Sequence, residues 1–218
     1  GVTRYFADLM YNLPKGEFVA EVPMRYCENH YVTKTYGQEY EKITFPDNYR
    51  FRRQVYMLVN KHIAWKAIRF GNYDIFHPTY FNPYFLKSVK RSGKPFVLTV
   101  HDMTFERYPQ DVLIYDRTIP HKKRLIAEAD HIIAVSENTK RDIVEILGTD
   151  PNKISVVHHG YHPIAQPSEQ LFDRYILYVG ERKGYKNFFP WLSAVRPLLV
   201  ADPTLKIVCT GNAFSSSE

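Results

Sequence analysis

Cysteine is nearly missing: Cys27 and Cys209 are the two present in 218 residues, far apart and without ligand-like spacing. That excludes a disulfide framework or a cysteine-based zinc site and fits a reducing cytosol. No apolar run reaches the roughly 18 residues that a membrane-spanning helix needs. The opening GVTRYFADLM lacks the basic start, apolar centre and small-residue cleavage site of a signal peptide, so a cytoplasmic setting is expected. H-E-x-x-H, P-loop and G-x-S-x-G patterns do not occur, which leaves zinc protease, P-loop NTPase and α/β-hydrolase readings without support. No RNA-binding signature such as K-G-F-G-F-V is present, and nucleic acid is not an expected partner.

What the chain does contain is ordinary globular composition, 44% hydrophobic and 24% charged, with a formal net charge of +6. The cations gather at Arg50, Arg52, Arg53, Lys61, Lys66 and Arg69; at Lys87, Lys90, Arg91 and Lys94; and at Lys122, Lys123 and Arg124. Such faces attract phosphates or anionic lipid, and they are equally the solvated sides of amphipathic helices. Peripheral contact with an anionic membrane from the cytosolic side is one expectation they raise.

The order of elements is more informative. Tyr5, Phe6, Leu9, Met10 and Leu13 recur at helical spacing over Thr3 to Leu13, and Pro14 and Gly16 stop the helix. A short strand is expected at Phe18 to Val22, a loop from Arg25 to Asp47, and a long helix from Arg50 to Phe70 carrying Val55, Leu58, Val59, His62, Ile63, Trp65 and Ile68. Strands then alternate with helices: strand Tyr73 to Phe76, helix Asn82 to Val89, strand Phe96 to Val100, helix Pro120 to Glu128, strand His131 to Val135, helix Glu137 to Leu147 with Ser136 as its cap, and strand Ile154 to Val157. That rhythm implies a parallel, doubly wound α/β sheet. After a Pro-containing stretch it restarts with strand Tyr175 to Val179, helix Phe188 to Val200 and strand Leu205 to Cys209. The expected organisation is a Rossmann-like domain over residues 1–160, a linker over 161–174 and the opening of a second domain over 175–218.

In open α/β sheets ligands bind beyond the carboxyl ends of the strands. Five groups are candidates for such a site. The loop Tyr178 to Asn187 brings Gly180, Arg182 and Lys186 before a helix, a combination suited to a pyrophosphate or simply a cationic surface loop. His101-Asp102 ends a buried strand: His101 can orient a sugar hydroxyl or be a structural histidine, and Asp102 can hold the imidazole or cap the next turn. Gly1 and Arg4 open the first helix as a possible phosphate or sugar cradle. His77-Pro78 follows a strand, and His158 and His159 precede Gly160 at the junction between the two expected domains.

These pieces, in this order, resemble the family 4 retaining glycosyltransferases of GT-B type, especially their bacterial surface-polysaccharide branch. The matching stretches are Gly-Val-Thr-Arg-Tyr at the start, Asp74 to Pro78, Val97 to Asp102, Ala129 to Lys140, Lys153 to Gly160 and Tyr178 to Asn187. The resemblance implies metal-independent transfer, without a cofactor, from a nucleotide-sugar donor to a saccharide or lipid-linked acceptor. It implies that Arg182 and Lys186 grip the donor diphosphate, that His101 contacts the donor sugar near the reacting carbon, and that the Gly1 region approaches the phosphates. The family's strand before the glycine loop is absent, and its two glutamates eight residues apart are expected beyond Glu218. The chain is therefore expected to be a piece that is inactive alone. A nucleotide-sugar epimerase of the same architecture and a non-catalytic saccharide- or polyanion-binding protein are the rival readings.

Overall fold

The computed structural model describes residues 1–27, 29, 31–32, 51–109, 117–161, 172–182 and 184–214. The chain divides into two compact units, Gly1–Gly160 and Tyr161–Glu218.

The first unit is built on a parallel sheet of β1 (Val97–Val100), β2 (His131–Ala134) and β3 (Ile154–Val156), in that spatial order. Val97 stands opposite His131, and Ile132 opposite Ile154. β-Branched residues dominate these strands, and Leu98, Val100, Ile132 and Ala134 are buried, as suits a sheet whose faces are covered. The helices are α1 (Val2–Tyr11), α2 (Arg52–Phe70), α3 (Leu86–Ser92, entered through a 3-10 turn at Pro83–Phe85), α4 (Thr104–Arg107), α5 (Thr118–Glu128) and α6 (Glu137–Leu147). The core joins Ile68, Phe85, Leu86, Leu125, Ile126 and Ile143 to the strand residues.

Local chemistry sets the boundaries. Ser136 caps α6 by accepting the Thr139 N–H at 3.1 Å, and Gly148 closes that helix in the left-handed region at φ 63°. Gly93 ends α3 in the same way at φ 69°.

Several expectations need correction. Phe18 to Val22 is not a strand: it pairs with no described strand, the Phe18 N–H turns back to the Pro14 carbonyl at 3.3 Å, and Phe18 and Val19 are exposed. The strand at Tyr73 to Phe76 shrinks to one parallel bridge between Phe76 and Phe96. Phe76 donates to the Pro95 carbonyl at 3.0 Å and accepts from Val97 at 2.9 Å, but Pro95 has no N–H to offer the Asp74 carbonyl, so the ladder cannot extend. Leu9 on α1 and Leu58 and Trp65 on α2 are exposed, leaving Phe6, Ala7 and Ile68 as the buried ones among the described residues of those helices. Lys122, read as part of a cationic face, is 2% exposed. The helix α4 was not foreseen. Most of the expected loop from Arg25 to Asp47 and of the expected linker lies outside the described residues.

The second unit contains β4 (Tyr175–Tyr178) and β5 (Lys206–Cys209), paired in parallel and joined through α7 (Phe188–Ala201). Phe188 is its buried hydrophobic residue among those described, packed on Tyr178 and Trp191 with ring centroids 5.0 and 5.7 Å away. Among the described residues no helix is long and apolar enough to cross a membrane.

Candidate functional site

In the first unit the three parallel strands end on the same side of the sheet, and Tyr5 and Phe6 of α1 meet side chains near those ends. Tyr5 of α1 sets its ring edge-on to both His101 and His159, with centroids 5.1 Å away in each case. His101, just beyond β1, stacks on His159, just beyond β3, at 5.5 Å and an interplanar angle of 16°. Behind them, the Thr99 hydroxyl is shared by the Tyr5 hydroxyl at 3.3 Å and His77 Nε2 at 2.9 Å. A hydroxyl has one proton to give. One consistent arrangement therefore runs Tyr5 to Thr99 to His77, with the imidazole accepting.

The electrostatics favour neutral rings. Burial, reinforced by the facing His101, lowers the His77 pKa to about 4. Burial and then the neighbouring His159 also hold His101 below the usual histidine range. Crowding at this edge thus disfavours the protonated forms of His77 and His101. His101 Nε2 is buried and has no hydrogen-bond partner among the described residues. A buried polar atom left unsatisfied is costly, and here it marks a position where a ligand hydroxyl would be welcome.

Asp102 takes the turn-capping role: its Oδ1 accepts the Thr104 N–H at 3.0 Å and so starts α4. The Asp102 carbonyl accepts from Lys122 Nζ at 3.1 Å, and Lys122 in turn pairs with Glu106 at 2.9 Å. Gly1 begins α1, and its carbonyl accepts the Tyr5 N–H at 3.2 Å. A Cβ at Gly1 would meet nothing within 4 Å, so no close approach within the chain demands glycine there. Arg4 forms an exposed ion pair with Asp8 one turn along, at 3.4 Å.

Gly180, Arg182 and Lys186 are grouped in the second unit, around the end of β4. Gly180 has φ 150°. The Arg182 guanidinium donates to the Asn212 and Ala213 carbonyls at 2.9 and 3.0 Å and lies over the Phe214 ring at 4.6 Å. It thereby ties the loop after β4 to the loop after β5. Lys186 is exposed and closes a 3-10 turn, Gly184–Lys186, whose last carbonyl accepts the Tyr178 hydroxyl at 3.2 Å. Asn187, in the left-handed region at φ 52°, leads into α7.

Sequence reasoning placed His101, Asp102 and His77 at the strand ends, and the structure brings His101 and His77 together around Tyr5 and Thr99. It missed Tyr5, Thr99, Glu106 and the buried state of Lys122. Thr99 had a signal, a polar residue inside the apolar strand Val97 to Val100. Among the described residues no group of three His, Cys, Asp or Glu side chains is placed to hold a metal ion.

The family model for Glycosyltransferase Family 4 matches residues 1–163, which spans the first unit and its strand-end histidines. No curated protein matches the chain. The family match covers well over half of the 218 residues, and the chain accordingly belongs to Glycosyltransferase Family 4, a family of glycosyl transfer between a sugar donor and an acceptor.

Proposed function

We propose that the protein transfers a sugar from a nucleotide-sugar donor to a saccharide or lipid-linked acceptor, with retention at the anomeric carbon and without a metal ion, in bacterial surface-polysaccharide synthesis. The observation that carries this reading is the His101 imidazole at the end of β1, held towards its neutral form, with Nε2 buried and unsatisfied among the described residues. A neutral imidazole in that position contacts the donor sugar near the reacting carbon without the cost of burying a second charge. Arg182 and Lys186 take the departing diphosphate, where charge develops as the glycosidic bond breaks. To do so, Arg182 exchanges its carbonyl partners at Asn212 and Ala213 for phosphate oxygens. A phosphate brings an opposite charge and can take two parallel N–H bonds from the guanidinium, which a neutral carbonyl cannot, so that exchange is favourable.

The test is product analysis with the full-length protein and a panel of uridine-, guanosine- and thymidine-diphosphate sugars, with and without a chelator. Sugar appearing on an acceptor with its anomeric configuration kept, at a rate indifferent to chelation, supports the reading. Lys186→Ala and His101→Ala are each expected to lower kcat/KM by about 100-fold or more. Epimerised free donor would replace transfer by epimerisation. Saccharide binding that survives loss of Arg182 and Lys186 and weakens steeply with salt would instead identify a non-catalytic binding protein.

A further inference from the structure

The least expected group in the first unit is an ion pair closed off from solvent. The Lys122 side chain on α5 is 3% exposed and that of Glu106 on α4 is 0% exposed, with Nζ and Oε2 2.9 Å apart. The ammonium also donates to the Asp102 carbonyl at 3.1 Å and lies 5.1 Å from the centre of the Phe81 ring. We propose that Lys122 and Glu106 are positioning residues for His101, acting through the Asp102 carbonyl rather than by touching substrate. This rests on the reading above, in which His101 meets the donor sugar.

Energetics favour a geometric role. Desolvating two charges offsets most of their attraction, and an apolar pair of similar volume commonly folds as well or better. The second carboxylate oxygen, Glu106 Oε1, is buried without a partner among the described residues, which makes this pair a still poorer source of stability. What the pair supplies is direction. Lys122 holds the backbone oxygen of the residue after His101 from one side, while the Asp102 side chain is fixed on the Thr104 N–H. From α6, Asp142 and Glu145 hold Arg107 at the other end of the same short segment. The stretch from His101 to Arg107 is thus fastened at both ends by helices that pack on the sheet, and the imidazole inherits that rigidity. Small misplacements of a reacting group are expensive in rate, so such a support acts on turnover.

The experiment compares the Lys122→Met/Glu106→Leu double variant, Lys122→Arg and His101→Ala in the full-length protein. Release of nucleoside diphosphate from the same panel of nucleotide sugars is measured alongside Tm and the imidazole signal of His101 by NMR. The expected result is a double variant with Tm close to wild type, donor KM little changed, kcat lowered roughly tenfold or more, and a displaced His101 signal. Lys122→Arg, which keeps the cation, is expected to recover part of kcat. A double variant with wild-type kcat, or one that fails to fold, overturns the proposal, since the pair would then serve nothing or stability alone. If His101→Ala itself turns over at the wild-type rate, the underlying reading falls and this inference with it. An inactive His101→Ala beside a fully active double variant removes only the inference.

Discussion

The residue whose behaviour is most exposed to measurement is His77. Its folded pKa of about 4 lies below the ordinary value of 6.5, because burial and the facing His101 penalise the imidazolium. The unfolded chain therefore binds more protons than the folded one between those values. Stability from this residue is complete above about pH 6.5 and is lost as pH falls towards 4, by roughly 3 kcal/mol at most. Urea unfolding near pH 7 and near pH 4.5 should show a steeper loss for the wild type than for His77→Gln, which has nothing to titrate. Equal pH slopes in the two proteins would refute the assignment. At this scale the sequence was readable only in part. His101 stood out because a polar residue ended an apolar strand, whereas Lys122 looked like any member of a cationic run. Its burial depends on Glu106, which neither spacing nor charge counting singles out.

At the scale of elements, legibility followed the range of the interactions involved. Helix α6 was readable at both ends because its stop signals, Ser136 and Gly148, act within a turn of the residues they cap. Strands β1 to β3 were readable because each is an apolar run between such signals. Phe18 to Val22 looked equally strand-like, but a strand exists only through a partner, and Tyr73 to Phe76 lost its ladder to a proline on the neighbouring segment. The cap on α6 has a cost that can be measured: Ser136→Ala removes the acceptor for the Thr139 N–H and is expected to lower stability by about 1 kcal/mol, while Ser136→Asp keeps it. Denaturant midpoints of the two variants check this. Thr139 also approaches the His101 carbonyl, at 3.5 Å, so the same cap steadies the site.

At the scale of the whole molecule, the two units differ in how much they bury. The first has a continuous core running from Ile68 to Ile154, while among its described residues the second buries Phe188, with Leu177, Val179, Leu198 and Val200 exposed. Hydrophobic stabilisation scales with the apolar area removed from water, so the second unit should be the weaker. Each unit holds one tryptophan, Trp65 and Trp191. Thermal unfolding followed by fluorescence should therefore begin earlier in Trp65→Phe protein, where Trp191 alone reports, than in Trp191→Phe protein. Coincident transitions would show that the units share their stability.

The hydroxyl contact between Tyr5 and Thr99 joins residues 94 positions apart. α1 is translated well before the partners of its rings: Phe6 packs on His77, Tyr5 meets Thr99 of β1, and His159 arrives some sixty residues after that. Parallel pairing imposes the same delay on the sheet, since Val97 must wait for His131 and Ile132 for Ile154. Contacts so distant in sequence form late. The nascent chain must therefore carry Tyr5 and Phe6 without these partners until the strand-end segments are made, and the histidine edge is completed by His159, among the residues that end the first unit.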